Sequence, residues 1–564
     1  MNYGFLIRND RCIGCHACST ACKAENEVPL GVHRTWVKTV EAGAFPDVRR
    51  HFQVTRCNHC ANPPCVSICP TEAMYQRADG IVEFDMDRCI GCKACLQGCP
   101  YDAIHIDPES GTAAKCHFCA HRVELAMEPP CVVVCPEHAI IAGDLDDPDS
   151  EISRMRSEHQ VTVRRPEKGT LPKLFYVDGG EAALHPGAVD ADPEGYAATQ
   201  HPEPRLEPGG SSGPIRIGRG RMADELVRTT YDVEHRQPWH WPVPAYLVTK
   251  GVAAGLFLLL AGGGLAGYVP AHPWTFTLVG FLVLLFLGAT TALLVADLER
   301  PERFHWVLLK PQSRSWLVRG AWILVGFTIL VGGWWAVEVG VWLGWWGAGG
   351  AAAPGDGPSG TPVAAWLGAV RTSVLAAGLP LAVLTAIYTA FLFGQAKGRD
   401  LWQSTLSPFH LLAQAILAGS AMFLIIAPLA ALPVELVTLA WWSFAVVLVV
   451  DLLILMPAEF AMPHGTDAAA RASHMITRGR YRRPFWGGAI LLGHLVPLGV
   501  LGAIIAAAAL APTPGEPLHA LGSAPWMAVS GASMAGALAG VLALIGLYAY
   551  EYAWVMAPQT LRNS

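Results

Sequence analysis

The chain has 564 residues, more than one hydrophobic core usually organises, so at least two domains are expected. Its net charge of −6 comes without a basic stripe interleaved with aromatic residues, which argues against a nucleic-acid partner. All sixteen cysteines lie between Cys12 and Cys135, and the sequence from about Trp241 onward is dominated by apolar residues. Because the opening MNYGFLIRNDRC shows neither an apolar leader nor a twin arginine, the cysteines are expected to bind metal rather than form disulfides.

The first predicted domain is built around four cysteine motifs. Each motif has three closely spaced cysteines and a displaced fourth, and the last three motifs end in Cys-Pro. Three thiolates in a tight loop can bind three corners of a cubane, whereas the fourth begins the next element and points elsewhere. The motifs are Cys12-x2-Cys15-x2-Cys18-x3-Cys22, Cys57-x2-Cys60-x4-Cys65-x3-Cys69, Cys89-x2-Cys92-x2-Cys95-x3-Cys99 and Cys116-x2-Cys119-x11-Cys131-x3-Cys135.

Structural zinc is the alternative explanation of these cysteines. Zinc sites usually consist of two CxxC pairs, whereas a CxxCxxCxxxC run brings too many thiolates to one metal ion and suits a cubane. Lys23, Lys93 and Lys115 lie beside the predicted ligands. These lysines either tune the cluster potentials or are solvated surface residues.

Over residues 1–177 this pattern resembles the four-cluster iron–sulfur subunit of the DMSO-reductase and polysulfide-reductase family. The resemblance implies an α+β ferredoxin-like double dicluster domain with four 4Fe–4S clusters, in which the two outer motifs exchange their fourth ligands and the two inner motifs do the same. The implied ligand sets are Cys12, Cys15, Cys18 and Cys135; Cys22, Cys116, Cys119 and Cys131; Cys57, Cys60, Cys65 and Cys99; and Cys69, Cys89, Cys92 and Cys95.

A bridge without cysteines or long apolar runs follows. VTVRRPEKGTLPKLFYV (161–177) has strand-like runs and is predicted to pack back on the cluster domain. The next stretch is rich in Pro, Gly and Asp, which is typical of a flexible linker. The predicted organisation is therefore a cluster domain (1–178), a linker (179–236) and a membrane domain (237–558), as expected from the fusion of two subunits.

The second half is predicted to cross a membrane eight times. A span needs about 20 mostly apolar residues, and tryptophan-rich ends such as Trp345–Trp346 fit the interfacial belt. The predicted spans are 243–268, 274–296, 317–346, 364–394, 408–428, 433–456, 485–511 and 526–550.

The distribution of basic residues predicts the orientation. The loops on the side of the cluster domain contain most of the lysine and arginine residues, whereas the opposite loops contain essentially Arg371 alone. The positive-inside rule therefore predicts a multi-pass protein of the bacterial cytoplasmic (inner) membrane, with its iron–sulfur domain on the cytoplasmic side. The outer face is the alternative, since related complexes reach it through a partner's export signal.

Three stretches resemble the NrfD/polysulfide-reductase membrane-subunit family. DLERPERF (297–304) closes the second span, and YTAFLFGQAKGRDLWQS (388–404) and PWHWPVPAYLVTKGVAAG (238–255) match the fourth and first spans. The resemblance implies an all-α bundle of eight transmembrane helices that binds quinone or quinol (menaquinone or ubiquinone) near the clusters and contains no haem. A bis-histidine haem needs two facing histidines, yet only His494 lies well inside a predicted span, with His410 near an end.

Three residues on the cluster side of the spans are predicted to act on quinone. Lys250, Asp297 and Tyr388 can converge there and supply a hydrogen-bond donor and proton carriers, and ionisable groups inside membranes are usually functional. By resemblance, Asp297 and Tyr388 fall where the family contacts quinone. The alternatives are that Lys250 snorkels to the interface, that Asp297 pairs with Arg300 or Arg303, and that Tyr388 only packs.

Further polar residues in the spans allow two interpretations. His410 and Gln414 lie one helical turn apart, and they either line the quinone pocket or make a helix–helix hydrogen bond. The other ionisable groups form a proton path or are interfacial and paired with basic loop residues; they are Glu338, Asp451, Glu459, His494 and Glu551.

These features predict a subunit of a membrane-bound oxidoreductase that passes electrons between a catalytic partner and quinone. The chain has no room for a molybdopterin-binding domain, so a molybdopterin-containing catalytic subunit is the expected partner. The RPEKGTLPKLFY region resembles membrane-bound sulfite dehydrogenases, which makes sulfite the first expected substrate of that partner, with polysulfide, thiosulfate, formate or an arsenic oxyanion as alternatives. Two other hypotheses are a membrane anchor that hands electrons to a separate cytochrome, and a redox-driven proton pump.

Overall fold

The computed structural model describes residues 1–42, 46–185, 227–345, 362–510 and 530–564. As predicted, an α+β cluster domain precedes a helical membrane domain. The strands are β1 (Tyr3–Arg8), β2 (Thr35–Ala42), β3 (Arg49–Arg56), β4 (Met74–Gln76), β5 (Val82–Phe84), β6 (Ile104–Ile106), β7 (Ala113–Lys115), β8 (Ile140–Asp144), β9 (Val161–Thr162), β10 (Leu174–Val177) and β11 (Val227–Tyr231). The short helices of this domain are α1 (Ala17–Glu25), α2 (Pro64–Ile68), α3 (Ala94–Gly98), α4 (Ala120–Val123), α5 (Pro130–Val133), α6 (Glu151–Glu158) and α7 (Glu181–Leu184).

The sheet that supports the clusters has the strand order β8-β1-β10-β9. Strand β10 pairs parallel with β1, so the segment 161–177 packs back on the cluster domain as predicted. Phe5 and Ile7 of β1, together with Leu174 and Tyr176 of β10, are buried in the same core as most of the cysteines. The sheet is therefore the apolar wall against which the cysteine loops pack.

The prediction of a flexible linker over residues 179–236 is wrong at both ends, where the chain forms regular secondary structure. Residues 181–184 form α7, and β11 pairs antiparallel with β2 in the three-stranded sheet β11-β2-β3. Trp36 Nε1 also donates a hydrogen bond to Asp232 (3.0 Å). The sequence VRTTY is rich in residues that favour β-strands, and it forms the edge strand β11. The surrounding stretch has so few apolar residues that the strand was not recognised from the sequence. The rest of the predicted linker, residues 186–226, lies outside the described residues.

Among its described residues, the membrane domain has eight helices that are long and apolar enough to span a bilayer, which agrees with the predicted number. The last helix differs from its prediction: it runs to Thr560 rather than 550, because the polar residues near its end are buried inside the protein. The α-helices of this domain, including the short helices α10 and α16 between spans and α15 at the end of the α14 span, are as follows: α8 (Pro242–Leu265), α9 (Pro273–Ala296), α10 (Trp306–Leu309), α11 (Trp316–Trp342), α12 (Pro362–Gln395), α13 (Ser407–Ile426), α14 (Val434–Val450), α15 (Met456–Phe460), α16 (Asp467–Thr477), α17 (Val496–Leu510) and α18 (Ser530–Thr560).

Two spans contain π-helical stretches. The stretch Asp451–Leu455 joins α14 to α15, and the stretch Pro484–Leu495 leads into α17. A π-helical turn adds a residue to the turn and rotates the side chains around it, and such turns are frequent at functional sites. Each stretch contains one buried ionisable residue, Asp451 in the first and His494 in the second.

Small residues bring the first and fifth spans into direct backbone contact. A Cβ on Gly255 would lie 1.8 Å from Ala415 O, and one on Gly419 would lie 2.2 Å from the carbonyl carbon of Gly255. Helices in membranes associate through such close packing of small residues, since lipid supplies no hydrophobic driving force. This contact fixes α8 beside α13, and with them Lys250 beside Gln414.

The membrane domain docks onto the two inner cysteine motifs. The backbone N–H of Glu299 donates to Gly91 O (3.2 Å), and that of Gly398 donates to Gln97 O (3.0 Å). A Cβ on Gly398 would lie 2.6 Å from Cys99 O, so the loop after α12 needs glycine at this position. The inner motifs are therefore the part of the cluster domain nearest to the spans.

The segment 561–564 is buried between the two domains. The backbone N–H of Asn563 donates to Asp102 Oδ2 (2.5 Å), and Lys38 Nζ donates to Ser564 O (2.9 Å). Burial alone would raise the pKa of Asp102, but nearby His235 and Arg399, together with the hydrogen bonds from Asn563, hold it below its ordinary value. Polar contacts thus join the end of α18 to the cluster domain.

Replacing Arg399 by methionine should loosen this interface. Arg399 is buried and donates to Gln97 Oε1 (2.8 Å) and Leu561 O (2.9 Å), so its removal leaves buried acceptors unpaired. We expect a loss of about 3–5 kcal/mol, measured as a lower midpoint for thermal loss of the visible cluster absorbance. The control Lys397→Met removes an exposed cation from the same loop and should change stability by less than about 0.5 kcal/mol. Equal midpoints for the two variants would contradict a buried interface.

Candidate cluster relay and membrane pocket

The four cysteine motifs share a local backbone geometry. The residue before the second cysteine of each motif is left-handed, with φ of 68° at Gly14, 42° at His59, 67° at Gly91 and 61° at Phe118. This conformation turns the chain sharply, so that successive cysteines point toward one centre. The displaced fourth cysteine of each motif ends or follows a short helix and points away from that centre.

The structure brings the cysteines together in the four predicted sets. Cys12, Cys15, Cys18 and Cys135 line a cavity with an empty volume of about 340 Å³, although Cys12 and Cys135 are far apart in sequence. Similarly, the set of Cys69, Cys89, Cys92 and Cys95 lines a cavity of about 360 Å³. In the other two sets the thiols interact electrostatically with one another, Cys22 with Cys119 and Cys131, and Cys65 with Cys57, Cys60 and Cys99.

The electrostatics of the thiols fit a cationic metal cluster. Burial raises the pKa of the Cys12 thiol to about 11 and that of Cys22 to about 12, and the neighbouring thiolates contribute to both increases. Four thiolates in an apolar cavity repel each other unless a positive group binds them, and iron supplies that charge. Backbone N–H groups also donate to sulfur, from Ala139 to Cys135 (3.2 Å) and from Gly91 to Cys89 (3.4 Å).

Arg56 lies between two of the cysteine sets. It is fully buried, and its Nη1 donates to Cys131 Sγ (3.1 Å) while its guanidinium lies 4.7 Å from the Phe5 ring centroid. Burial alone would lower the pKa of Arg56, but Cys131, Cys18 and Cys116 raise it above its ordinary value. Arg56 is therefore a fixed positive charge between the two outer ligand sets.

Two of the three lysines beside the cysteines are not solvated surface residues. Lys115 is fully buried and donates to Val82 O and to Cys116 O (2.9 Å). Lys93 is 4% exposed and lies 3.4 Å from Asp297 Oδ2 of the membrane domain. Lys23 is partly buried and donates to Pro29 O (2.9 Å). The surface alternative therefore fails for Lys93 and Lys115.

Asp297 lies at the contact between the cluster domain and the membrane domain. It pairs with Lys93, which follows Cys92, and not with Arg300 or Arg303. Arg300 instead donates to Ser110 O (2.6 Å), because the loop DLERPERF wraps around the third cysteine motif. Nearby, Trp239 Nε1 donates to Cys92 O (3.0 Å). The cavity of Cys69, Cys89, Cys92 and Cys95 is thus the one that adjoins the spans.

Lys250 and Tyr388 meet in the membrane, as predicted. Lys250 is 1% exposed, so it does not snorkel; its Nζ donates to Ala386 O (2.9 Å) and Thr389 Oγ1 (2.5 Å) and lies 4.9 Å from the Tyr388 ring centroid. Tyr246, which sequence reasoning missed, interacts electrostatically with both Tyr388 and Asp297. The three predicted residues therefore lie around one region, with Tyr246 between them.

A small cavity of about 10 Å³ lies beside this region. It is lined by residues of α8, α12, α13 and α18, including Lys250, Gln414 and Glu551. Gln414 hydrogen-bonds Glu551, whose other carboxylate oxygen, Oε2, is buried without a hydrogen-bond partner among the described residues. Gln414 therefore lines a small cavity and also bonds a neighbouring helix, and Glu551 Oε2 remains, among the described residues, a free acceptor in the cavity wall.

His410 does not line this cavity, contrary to the quinone-pocket interpretation. Its Nε2 lies 2.8 Å from Asp451 Oδ1, and its Nδ1 lies 3.2 Å from the Tyr550 hydroxyl. The His410 ring instead contacts the π-helical stretch that follows α14 and Tyr550 of α18. His494 also reaches Asp451, so the two histidines do meet, with a carboxylate between their Nε2 atoms.

Two other ionisable residues in the spans have partners of their own. Glu338 pairs through both oxygens with Arg371 (2.7 Å each) and accepts from Trp334 Nε1 (3.1 Å). Glu459 accepts from Ser404 Oγ (2.8 Å). The predicted pairing with basic loop residues is thus wrong for Glu459. Glu338 pairs with the one arginine on the far side, within the helices.

Sequence reasoning missed Arg56, Tyr246 and Trp239, and underrated Glu551. A signal existed for Tyr246 and Lys250, which lie on one face of α8 at i and i+4. Glu551 was placed at the edge of a span because the last helix was ended too early. The sequence around Arg56 does not indicate its role, because its position between two cysteine sets arises only from tertiary packing.

Cys135→Ala should disturb the site built on Cys12. Because Cys135 lines the same cavity as Cys12, Cys15 and Cys18, its loss should remove one of four cluster signals in EPR spectra of the reduced protein. The matched variant Cys22→Ala should leave that signal in place and remove the one assigned to Cys116, Cys119 and Cys131. Loss of the Cys12 signal in Cys22→Ala would contradict the ligand exchange.

Comparison with family models gives two matches along the sequence. Residues 48–145 match the 4Fe-4S dicluster domain, and residues 230–509 match the polysulphide reductase, NrfD family. The two matches fall on the cluster domain and on the membrane domain described above.

Comparison with characterised proteins gives relatives from several reductases. A subunit of the tetrathionate reductase of Salmonella typhimurium is 44% identical over 195 residues, which cover 34% of this chain and 78% of the relative. The arsenate respiratory reductase iron-sulfur subunit ArrB of a Shewanella species is 34% identical, covering 31% of this chain and 96% of the relative. The thiosulfate reductase electron transfer subunit PhsB of Salmonella typhi is 44% identical, covering 31% and 91%.

Proposed function

We proceed from the fact that this protein belongs to the family of reductase iron–sulfur subunits, joined to an NrfD-type membrane domain, and we propose that it exchanges electrons with quinone. The membership gives an electron-transfer subunit of a membrane oxidoreductase that carries iron–sulfur clusters. What we add is the route through the molecule, the quinone site and the nature of the partner.

The route is supported by the burial of the cysteine sets. Cys15 is exposed, and Cys12 and Cys135 are half-buried, so the set that contains them is open to a docked partner. The set with Cys92 lies against the spans through Trp239 and the Lys93–Asp297 pair. Four 4Fe–4S clusters held by the four sets would carry single electrons between these two ends.

The quinone site is proposed to lie between Asp297 and the cavity of Lys250, Gln414 and Glu551. A quinone head group there would accept a hydrogen bond from the Lys250 ammonium, which lines the cavity, with the ring of Tyr388 beside that ammonium. Asp297 and Glu551 can bind the protons that quinol releases, because carboxylates are suited to proton transfer at a buried site. His410 is excluded from this site by its contacts with Asp451 and Tyr550.

The observation that carries the proposal is the polar cavity of Lys250, Gln414 and Glu551, about two turns into α8, the helix that follows the Trp239–Cys92 contact. It is tested by titrating the purified protein with water-soluble ubiquinone and menaquinone analogues and following tryptophan fluorescence. We expect saturable binding of one analogue per chain, weakened by Gln414→Leu. The alternative of a membrane anchor that serves a separate cytochrome predicts no saturable binding by either analogue.

A molybdopterin-containing catalytic subunit is the proposed partner, since electron-transfer subunits serve a catalytic subunit and the described residues form a cluster domain and a membrane domain. The named relatives favour a reductase of tetrathionate, thiosulfate or arsenate as a second candidate beside sulfite oxidation. All four substrates are oxyanions. Co-purification of the partner and assay with each compound distinguishes the two candidates.

The proposed location is the bacterial cytoplasmic membrane, with the cluster domain on the cytoplasmic side, as the basic loops predict. Labelling of a cysteine introduced at the exposed Leu30 position (Leu30→Cys) in intact cells against lysed cells tests this orientation. Proton pumping across the whole bilayer is disfavoured, because Glu338 and Arg371 form an ion pair with each other.

A further inference from the structure

A cluster of ionisable side chains that the quinone site does not use lies in the membrane domain. Asp451 is 1% exposed and lies between two histidines, with His410 Nε2 2.8 Å from Oδ1 and His494 Nε2 3.0 Å from Oδ2. The three residues come from three different spans, α13 and the two spans with π-helical stretches. We call this group the His–Asp–His cluster.

The hydrogen bonds of His494 fix where protons can sit. Its Nδ1 lies 2.8 Å from Ala489 O, which can only accept, so Nδ1 carries a proton. Its Nε2 faces Asp451 Oδ2 at 3.0 Å. Either His494 is doubly protonated beside a carboxylate, or Asp451 is protonated and donates to Nε2. In both cases one proton lies between Asp451 and His494.

The row of polar atoms continues through His410. Its Nε2 lies 2.8 Å from Asp451 Oδ1, close enough for an ion pair but outside hydrogen-bond geometry, and its Nδ1 lies 3.2 Å from the Tyr550 hydroxyl, which can donate to it. These polar atoms follow one another in a row that ends at Ala489 O. Because the carbonyl closes the row, the cluster can store a proton but does not pass it onward through His494.

The Tyr550 end of the row is next in sequence to a residue of the cavity wall. Tyr550 precedes Glu551, which lines the cavity and interacts electrostatically with both Tyr550 and His410. The other charged groups around the cluster are Glu459 beside His410 and Lys250 beside Glu551. Glu551 therefore lines the cavity and also interacts with His410, and its Oε2 has no hydrogen-bond partner among the described residues.

We propose that the His–Asp–His cluster is a proton-storage site that exchanges protons with quinone through Glu551 and Tyr550. This inference rests on the proposed quinone site. When a quinol is oxidised, two electrons leave to the cluster domain and two protons are released. The Glu551 carboxylate binds the first proton and passes it to the Tyr550 oxygen as the Tyr550 hydroxyl gives its own proton to His410 Nδ1, which leaves an imidazolium beside Asp451. The Glu551 carboxylate then binds the second proton. Quinone reduction reverses both transfers.

The storage role is tested in the whole purified protein in lipid nanodiscs without oxygen. The rate of cluster reduction after rapid mixing with a quinol is followed by absorbance across the neutral pH range. Asp451→Asn keeps the shape of the residue and cannot bind the shared proton. We expect its rate to fall about tenfold or more and to lose the pH dependence of the wild type, with unchanged quinone-analogue affinity and dithionite-reduced EPR spectra.

Ser420→Ala is the matched control, since Ser420 is a fully buried polar residue of the same helix as His410 whose hydroxyl has no hydrogen-bond partner among the described residues. It should retain the wild-type rate and pH profile. If Asp451→Asn does not assemble, His410→Gln, which still donates to Asp451 but cannot become cationic, is measured in the same way. A wild-type rate and pH profile in the assembled variant overturns the storage site. A wild-type protein that neither binds nor oxidises quinol overturns the proposed function instead.

Discussion

Replacing Asp297 by asparagine should block electron exchange with quinol and leave the clusters intact. Asp297 contacts the lysine beside Cys92 and interacts with Tyr246 of the first span, which in turn faces Tyr388 of the fourth. Asparagine keeps the size and a hydrogen bond but cannot bind a proton. Loss of a proton carrier typically lowers a rate by 10²–10⁴-fold, so quinol-driven cluster reduction should fall by about 10²-fold or more.

Glu299→Gln is the matched control for this variant. Glu299 also lies 3.4 Å from Lys93 but is 42% exposed, so it shares the lysine without facing the spans. It should retain at least about half of the wild-type rate, because an exposed ion pair contributes little. Both variants should show wild-type EPR spectra after dithionite reduction. Equal rates in Asp297→Asn and the wild type would remove Asp297 from the quinone site.

Replacing Arg56 by glutamine should lower the reduction potential of the clusters beside it. Arg56 is a buried cation whose Nη1 lies 3.1 Å from Cys131 Sγ, and it faces Cys18 of the neighbouring set. A unit charge at about 4 Å contributes roughly 4 kcal/mol at an effective dielectric constant of 20. Since about 59 mV corresponds to a tenfold change for one electron, we expect the potential of the Cys131 cluster to fall by about 100 mV or more.

Arg56→Lys keeps the charge and should shift that potential much less. The clusters of the two inner sets serve as an internal reference, because the contacts of Arg56 with cysteine are chiefly to the outer sets. Redox titration followed by EPR measures all four potentials in one sample. An unchanged potential in Arg56→Gln, with the protein folded, would show that the guanidinium is not a significant charge at the cluster.

The sequence was most informative where chemistry depends on local spacing. The CxxCxxCxxxC runs predicted a cluster domain, and the apolar runs predicted eight spans, because both features are contained in short windows. The exchange of Cys22 and Cys135 between motifs could not follow from spacing, and it needed the family resemblance. Only the folded protein shows those distant cysteines lining common sites.

The sequence was least informative where function depends on packing between helices. Lys250 and Asp297 were predicted as neighbours, and Tyr246 shares the α8 face of Lys250, but the place of Glu551 in the cavity wall arises only from packing between helices. For His410 and Gln414 the spacing of one turn left two interpretations open, a quinone pocket or a helix–helix hydrogen bond. The π-helical stretch that moves Asp451 toward His410 has no sequence signature that we could have used.

The most direct test of the account is electron exchange between quinone and the clusters of the purified protein alone. The clusters are reduced with dithionite, excess reductant is removed, and oxidised quinone is added without oxygen while the visible absorbance is recorded. We predict that the clusters reoxidise, that the rate saturates with quinone concentration, and that Asp297→Asn lowers that rate by about 10²-fold or more. Clusters that stay reduced with quinone but react with a soluble oxidant would contradict a quinone site in this molecule.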